Sequence, residues 1–162
     1  MVALRYAYVL ALVVWIGGLV AAGAFVAPSI FGVLQAQAGA AGRVLAGATF
    51  GEVLRRILTA GEVAGAVMLV TLTVLRLLGP KPLSYGIRVG LLGAMLLANA
   101  YTAHILLPEA ESLRREISAP MATVAPDDPR RVRFDLLHSR STALVTAIAL
   151  AGIVVAAWEA RE

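Results

Sequence analysis

Cysteine is absent from this chain of 162 residues, and charged residues make up only 15% of it. Without a thiol the protein forms no disulfide, uses no thiolate nucleophile, and holds no cysteine-ligated metal or covalently attached c-type haem. Soluble domains contain about 25% charged and about 45–50% apolar residues, whereas 60% of this chain is hydrophobic. The excess apolar surface must face something other than water, and the sequence therefore predicts a protein of the lipid bilayer.

Long apolar runs take the place of the missing charge. A helix that crosses a hydrocarbon core of about 30 Å needs about 20 mostly apolar residues. Four stretches meet this condition: residues 6–27, 57–78, 87–107 and 136–158. We expect Pro28 and Pro108 to close the first and third spans, and a tight turn at residues 79–86 to join the second to the third. The first is longer than the apolar core of a signal peptide, so we expect it to be retained as a span. The prediction is an all-α fold: one domain of residues 1–162 forming a four-transmembrane-helix bundle, with a short interfacial helix in the first connection.

The distribution of charge predicts a topology. Four crossings place both termini on one side of the membrane, named side A, and the first and third connections on the other, named side B. Side B then holds nine of the 14 lysines and arginines, and side A holds the other five, which include Arg88. This distribution favours a cytoplasmic side B with the termini outside. The basic residues lie between apolar runs, so they indicate a membrane surface rather than a nucleic-acid partner. We expect a multi-pass protein of a bacterial or archaeal inner membrane.

Few ionisable or amide side chains lie within the predicted spans, and each is a functional candidate because such groups are costly in lipid. Glu62 lies near the start of the second span, Asn99 and His104 lie in the last turns of the third, and His138 opens the fourth. Spans two and four begin on side B and span three ends there. Topology therefore predicts that these residues lie at the same end of the bundle.

Helical spacing extends this polar cluster. Thr59 shares a face with Glu62, and Ser141 shares one with His138. Asn99 and His104 are five positions apart, so their side chains point in different directions around the helix. Asn99 is therefore better placed to bond across to a neighbouring helix.

Two interpretations of the cluster remain open. Two imidazoles and a carboxylate, from His104, His138 and Glu62, suit a divalent transition metal, and two histidines alone can hold haem b. Alternatively, the histidines lie at the wet membrane interface and Glu62 pairs with Arg55 or Arg140, which would make the group a structural polar cap.

Small residues recur at helical spacing, at Gly61 and Gly65 and at Gly86, Gly90 and Gly93. Such faces let membrane helices pack closely, within one chain or in a homo-oligomer. These glycine pairs lie inside spans, which excludes a phosphate-binding loop or a dinucleotide fingerprint.

Several short motifs follow one another along the chain. They comprise Trp15-Ile16-Gly17-Gly18, Phe25, Pro28, Phe31, Leu34, Ala41-Gly42, Gly47, Phe50, Pro108, Leu113-Arg114, Arg133-Phe134, Leu137-His138 and Ser141. In these residues the sequence resembles the transmembrane protein 205-like family, catalogued as a domain of unknown function. The resemblance implies a four-helix integral membrane protein without an agreed activity, distantly similar to copper-resistance domains and haem-binding membrane oxidases. It also implies that His138 belongs to the family motif.

Three functions follow as hypotheses. The first, which we favour, is a non-enzymatic membrane protein whose side-B end binds a partner, a lipid headgroup or a metal ion and contributes to stress tolerance. The second is a haem- or metal-dependent redox protein with His104 and His138 as ligands and Glu62 in proton transfer. The third is a small oligomeric carrier.

Overall fold

The fold is a set of long helices. The computed structural model describes residues 2–78, 84–117 and 120–160. Its α-helices are α1 (Val2–Ala21), α2 (Ala27–Leu78), α3 (Tyr85–Tyr101), α4 (Leu107–Ile117) and α5 (Pro129–Glu159). Single π-helical turns, Ala22–Val26 and Thr102–Leu106, join α1 to α2 and α3 to α4, and a 3-10 turn, Met121–Thr123, precedes α5. No strand occurs in these described ranges, so the all-α prediction is confirmed.

Three helical segments are long and apolar enough to cross a membrane: Val2–Leu78, Tyr85–Ile117 and Pro129–Glu159. The expectation of four separate helices is therefore wrong, because the first two predicted spans belong to one segment. The interfacial helix expected in the first connection is not a separate element either. Residues 35–56 are rich in alanine, the best helix former, and they lie within α2, whose helical course is interrupted only at Gly39.

The first segment folds back on itself at Gly39, where φ is 55° and ψ is −125°, a conformation that residues with a Cβ rarely adopt. The rings of Phe31 and Phe50 lie 6.5 Å apart across the bend. A Cβ added at Gly42 would lie 1.8 Å from the carbonyl oxygen of Leu34. Two antiparallel arms therefore cross closely beside the bend, and glycine is required at both positions.

Proline does not end the helices at Pro28 or Pro108. Pro28 and Pro108 were expected to close the first and third spans, yet each lies in a helix that continues past it. A π-helical turn ends two residues before each proline. The proline ring removes one backbone hydrogen bond and clashes with the preceding turn, and the wider π-helical turn accommodates both effects. The predicted turn at residues 79–86 lies largely outside the described residues, which resume at Ser84.

The core forms where α1, α2, α3 and α5 meet. Its largest fully buried apolar side chains are Trp15, Tyr8, Leu58, Met68, Leu72, Leu92, Ile148 and Val155. The exterior is apolar as well, since Val13, Val70 and Leu97 are 61%, 63% and 74% exposed. A surface with so many exposed large apolar side chains suits contact with lipid.

Candidate functional site

The structure brings two of the predicted polar residues together. Nε2 of His104 and Oε1 of Glu62 lie 2.8 Å apart, with 64% and 28% of the two side chains exposed. Glu62 thus pairs with histidine rather than with Arg55, which binds Glu52 at 2.8 Å. Thr59 donates to the carbonyl oxygen of Arg55 in its own helix.

Two arginines of α2 flank the apolar stretch that contains Glu62. Arg56 and Arg76 lie 20 residues apart on α2, or about 30 Å at 1.5 Å per residue, which equals the thickness of a hydrocarbon core of about 30 Å. Glu62 lies six residues beyond Arg56, or about 9 Å along the helix axis, within this apolar stretch. An ionisable side chain there costs up to about 2.5–3.5 kcal/mol, so pairing with His104 offsets part of that cost.

Asn99 lies apart from this pair, fully buried between three helices. Its Nδ2 donates to the carbonyl oxygen of Leu58 at 2.9 Å, and its Oδ1 accepts a bond from Nε1 of Trp15 at 3.3 Å. The amide therefore ties α1, α2 and α3 together in a low-dielectric core, where an unsatisfied polar group would be costly.

His138 and Ser141 lie on a different face from Glu62 and His104, along a cavity beside α5. The imidazole of His138 stacks on Phe134, with centroids 6.3 Å apart, and Ser141 donates to the carbonyl oxygen of His138. In the part of the chain that the structure describes, no three His, Asp or Glu side chains group in a way that could hold a metal ion. The assignment of His104 and His138 as metal or haem ligands stays a prediction.

This cavity joins polar and apolar surfaces and has a volume of about 890 Å³. That volume lies within the range of about 300–1,000 Å³ typical of ligand sites. Residues of α1, the first π-helical turn, α2, α4 and α5 enclose it. Neither the spacing of residues nor the composition of the chain indicates this cavity, because its walls come from residues far apart in sequence.

One part of the cavity is charged. Among its lining residues are Arg43, Arg114, Arg131 and Asp135, together with His138. Arg131 lies 3.8 Å from Asp135 and donates to the carbonyl oxygen of Val124. Arg43 is exposed, and no carboxylate within the described ranges forms an ion pair with it.

Arg114 is the most firmly held of these arginines. Its Nη1 donates to Glu111 at 2.7 Å and to the carbonyl oxygen of Gly47 at 3.0 Å. The guanidinium lies 5.5 Å from the centroid of Phe134, within the range of a cation–π contact. A Cβ added at Gly47 or Gly51 would lie 3.4 or 3.5 Å from this group, an ordinary van der Waals distance, so the guanidinium packs directly on this part of α2.

The other part of the cavity is apolar. Its walls include Leu19, Leu54, Val145 and Ala149, with the hydroxyl of Thr146 among them. Three lining side chains are also exposed at the outer surface: Val20, Leu150 and Ile153 are 47%, 60% and 55% exposed. The cavity therefore opens sideways, toward the region that the apolar exterior assigns to lipid.

An ion pair that the sequence did not predict closes the opposite end of the bundle. Arg88 was expected at the membrane surface of side A, but its side chain is only 1% exposed and binds Glu159. The guanidinium also lies 5.2 Å from the ring centroid of Tyr8. These contacts join α1, α3 and α5, so Arg88 acts as a structural residue.

Long apolar helices, an apolar exterior and a cavity that opens sideways are features of a multi-pass membrane protein. More specifically, the chain belongs to the DUF4149 family, a domain of unknown function, whose model matches residues 10–119. The narrower resemblance to the transmembrane protein 205-like family is not shown by this match, and α5, with His138, lies beyond the matched residues. No curated protein and no solved structure matches the chain.

Proposed function

We propose that the protein crosses the membrane four times and binds an amphiphilic molecule from the bilayer in the cavity beside α5, without catalysing a reaction on it. The observation that carries this proposal is the continuity of a charged compartment with an apolar one that opens sideways. Water-soluble ligands would leave the apolar walls uncovered, whereas an amphiphile matches both parts. Binding is thus the function that the geometry supports best.

Four crossings follow from the length of the first segment. Its 77 residues would extend about 115 Å as a straight helix, far more than a hydrocarbon core of about 30 Å. Folding at Gly39 divides it into residues 2–38 and 40–78, each long enough to cross once. Together with Tyr85–Ile117 and Pro129–Glu159 this gives four crossings and places both ends of the chain on side A.

Single cysteines test the topology, because the native chain has none. We expect an impermeant maleimide to label Ala3→Cys and Ala160→Cys from one side of the membrane and Ala40→Cys, beside the bend, from the other. All three residues are exposed. If Ala40→Cys reacted from the same side as Ala3→Cys, the first segment would not cross twice and the four-crossing proposal would be wrong.

A pair of tryptophan substitutions on α5 tests binding. Ala149 lines the cavity, so Ala149→Trp places an indole ring inside it. Ala147 is exposed, lies two residues away and lines no part of the cavity. Native mass spectrometry of purified protein supplied with a phospholipid should show at least tenfold less bound lipid for Ala149→Trp than for Ala147→Trp. Equal retention by the two variants would overturn the proposed function.

A further inference from the structure

We infer that the amphiphile is an anionic phospholipid, whose acidic headgroup binds at Arg43, Arg114 and Arg131 while its hydrocarbon chains lie in the apolar part of the cavity. This inference rests on the proposed function and adds the class of the ligand. It is drawn from the charge of the lining, from the way the arginines are held, and from the position of the cavity relative to the apolar zone.

The charge of the lining is positive. Three arginines line the cavity and only one carboxylate, that of Asp135, lines it with them. Glu111 partly compensates Arg114, and Asp135 contacts Arg131 only at 3.8 Å. Arg43 has no carboxylate partner in the described part of the chain, so its charge is the one that a ligand would compensate. Guanidinium groups bind phosphate through paired donors.

Two of the three arginines, Arg114 and Arg131, are also positioned in advance. Arg114 is fixed by Glu111, the carbonyl oxygen of Gly47 and the ring of Phe134. Arg131 is fixed by the carbonyl oxygen of Val124. Side chains that are already ordered lose little conformational freedom when a ligand binds, which favours affinity.

The cavity lies across the side-B edge of the apolar zone. On α5 the charged lining residues Arg131 and Asp135 precede Arg140, whereas the lining residues Val145, Ala149 and Ile153 follow it toward side A. A phospholipid of the side-B leaflet has the same order, with its acidic group outside the hydrocarbon and its chains inside. Free phosphate would contact only the first part, and an uncharged lipid only the second.

The test compares two phospholipids with identical chains. Purified protein is incubated with equal amounts of phosphatidylglycerol and phosphatidylcholine, and each bound species is counted by native mass spectrometry. We expect at least a tenfold preference for phosphatidylglycerol. Arg43→Gln should reduce that preference at least threefold and retain phosphatidylcholine binding, which shows that the variant is folded. Arg140→Gln removes an exposed arginine outside the cavity and should keep the full preference.

Two results would overturn the inference. One is equal binding of the two phospholipids, or an unchanged preference in Arg43→Gln. The other is displacement of phosphatidylglycerol by an equal concentration of inorganic phosphate. In the first case the proposed function itself still stands if Ala149→Trp abolishes binding of both lipids, and it falls with the inference if Ala149→Trp binds as much lipid as the native chain.

Discussion

At Gly61 the packing of the core leaves no room for a side chain. A Cβ there would lie 2.4 Å from Nε1 of Trp15 and 3.1 Å from Oδ1 of Asn99. We expect Gly61→Ala to lower the free energy of unfolding by about 1–3 kcal/mol, as overpacked cores do, measured by unfolding in mixed micelles. Gly90→Ala is the control, because a Cβ at Gly90 meets nothing within 4 Å. A Gly61→Ala protein as stable as Gly90→Ala would contradict the packing described.

Asp128 caps the N-terminus of α5 and confers a dependence on pH. The side chain of Arg130, and then its backbone N–H, donate to this carboxylate and lower its pKa from 3.8 to about 2. Because the pKa is depressed in the folded state, the cap stabilises α5 above pH 4 and is lost as the pH falls through about 2.

Hydrogen exchange measures this loss. We expect the protection of the amides of residues 130–133 to decrease between pH 4 and pH 2 in the native chain. Asp128→Asn retains a capping oxygen that does not titrate, so its protection should not change over the same interval. The same decrease in both proteins would show that another group controls the end of α5.

At the residue scale, sequence reasoning identified side chains but not their partners. Helical periodicity separates Asn99 from His104, and topology brings His104 near Glu62. Both inferences depend only on the helical repeat and on the order of the spans along the chain. The positions of Arg88 and Arg114 depend on Glu159 and Gly47, which are far away in sequence. No local signal relates such residues.

The bend at Gly39 determines how the first helical segment folds. With φ at 55° and ψ at −125°, alanine would be strained there by about 1–3 kcal/mol. We expect Gly39→Ala to lower the free energy of unfolding by that amount or to straighten the segment. Straightening would be detected because Ala40→Cys would no longer be labelled from the side opposite to Ala3→Cys. Gly32→Ala, in open space and with no positive φ, should have little effect. Equal stability of the two variants would mean that the bend does not require glycine.

The pair of Glu62 and His104 connects α2 to the π-helical turn Thr102–Leu106. Polar contacts between membrane helices contribute about 0.6 kcal/mol on average and about 1.7 kcal/mol at most. A double-mutant cycle with Glu62→Ala and His104→Ala should give a coupling energy within that range. If the two substitutions were additive, the contact at 2.8 Å would contribute nothing to stability.

At the element scale, apolar runs predicted where helices lie but not how they join. Pro28 and Pro108 are typical helix ends, yet the π-helical turns before them let the helices continue. A Cβ added at Gly86, Gly90 or Gly93 would meet nothing within 4 Å, whereas one added at Gly61 would lie against Trp15. Spacing alone does not distinguish a face that packs within the chain from one that does not.

At the scale of the whole molecule, composition predicted that the protein lies in lipid, and the structure revealed its cavity. A chain with 60% hydrophobic residues and no cysteine needs lipid around it. The cavity lies between residues of α2, α4 and α5 that are distant in sequence, and Arg133 of α5 binds Glu109 of α4 at 2.6 Å. Tertiary arrangements of this kind cannot be deduced from one sequence. The sequence therefore indicated His138 as a metal or haem ligand, and the structure places it in the wall of the cavity.

The most direct test of a lipid-binding cavity is to map where a lipid binds. Phosphatidylglycerol with a photoactivatable chain, supplied at about one molecule per protein and irradiated, should label residues 145–153 of α5 together with residues 19–23. Ala149→Trp should abolish this labelling and Ala147→Trp should not. Labelling confined to exposed outer positions such as Leu97, or labelling that Ala149→Trp leaves unchanged, would contradict the account.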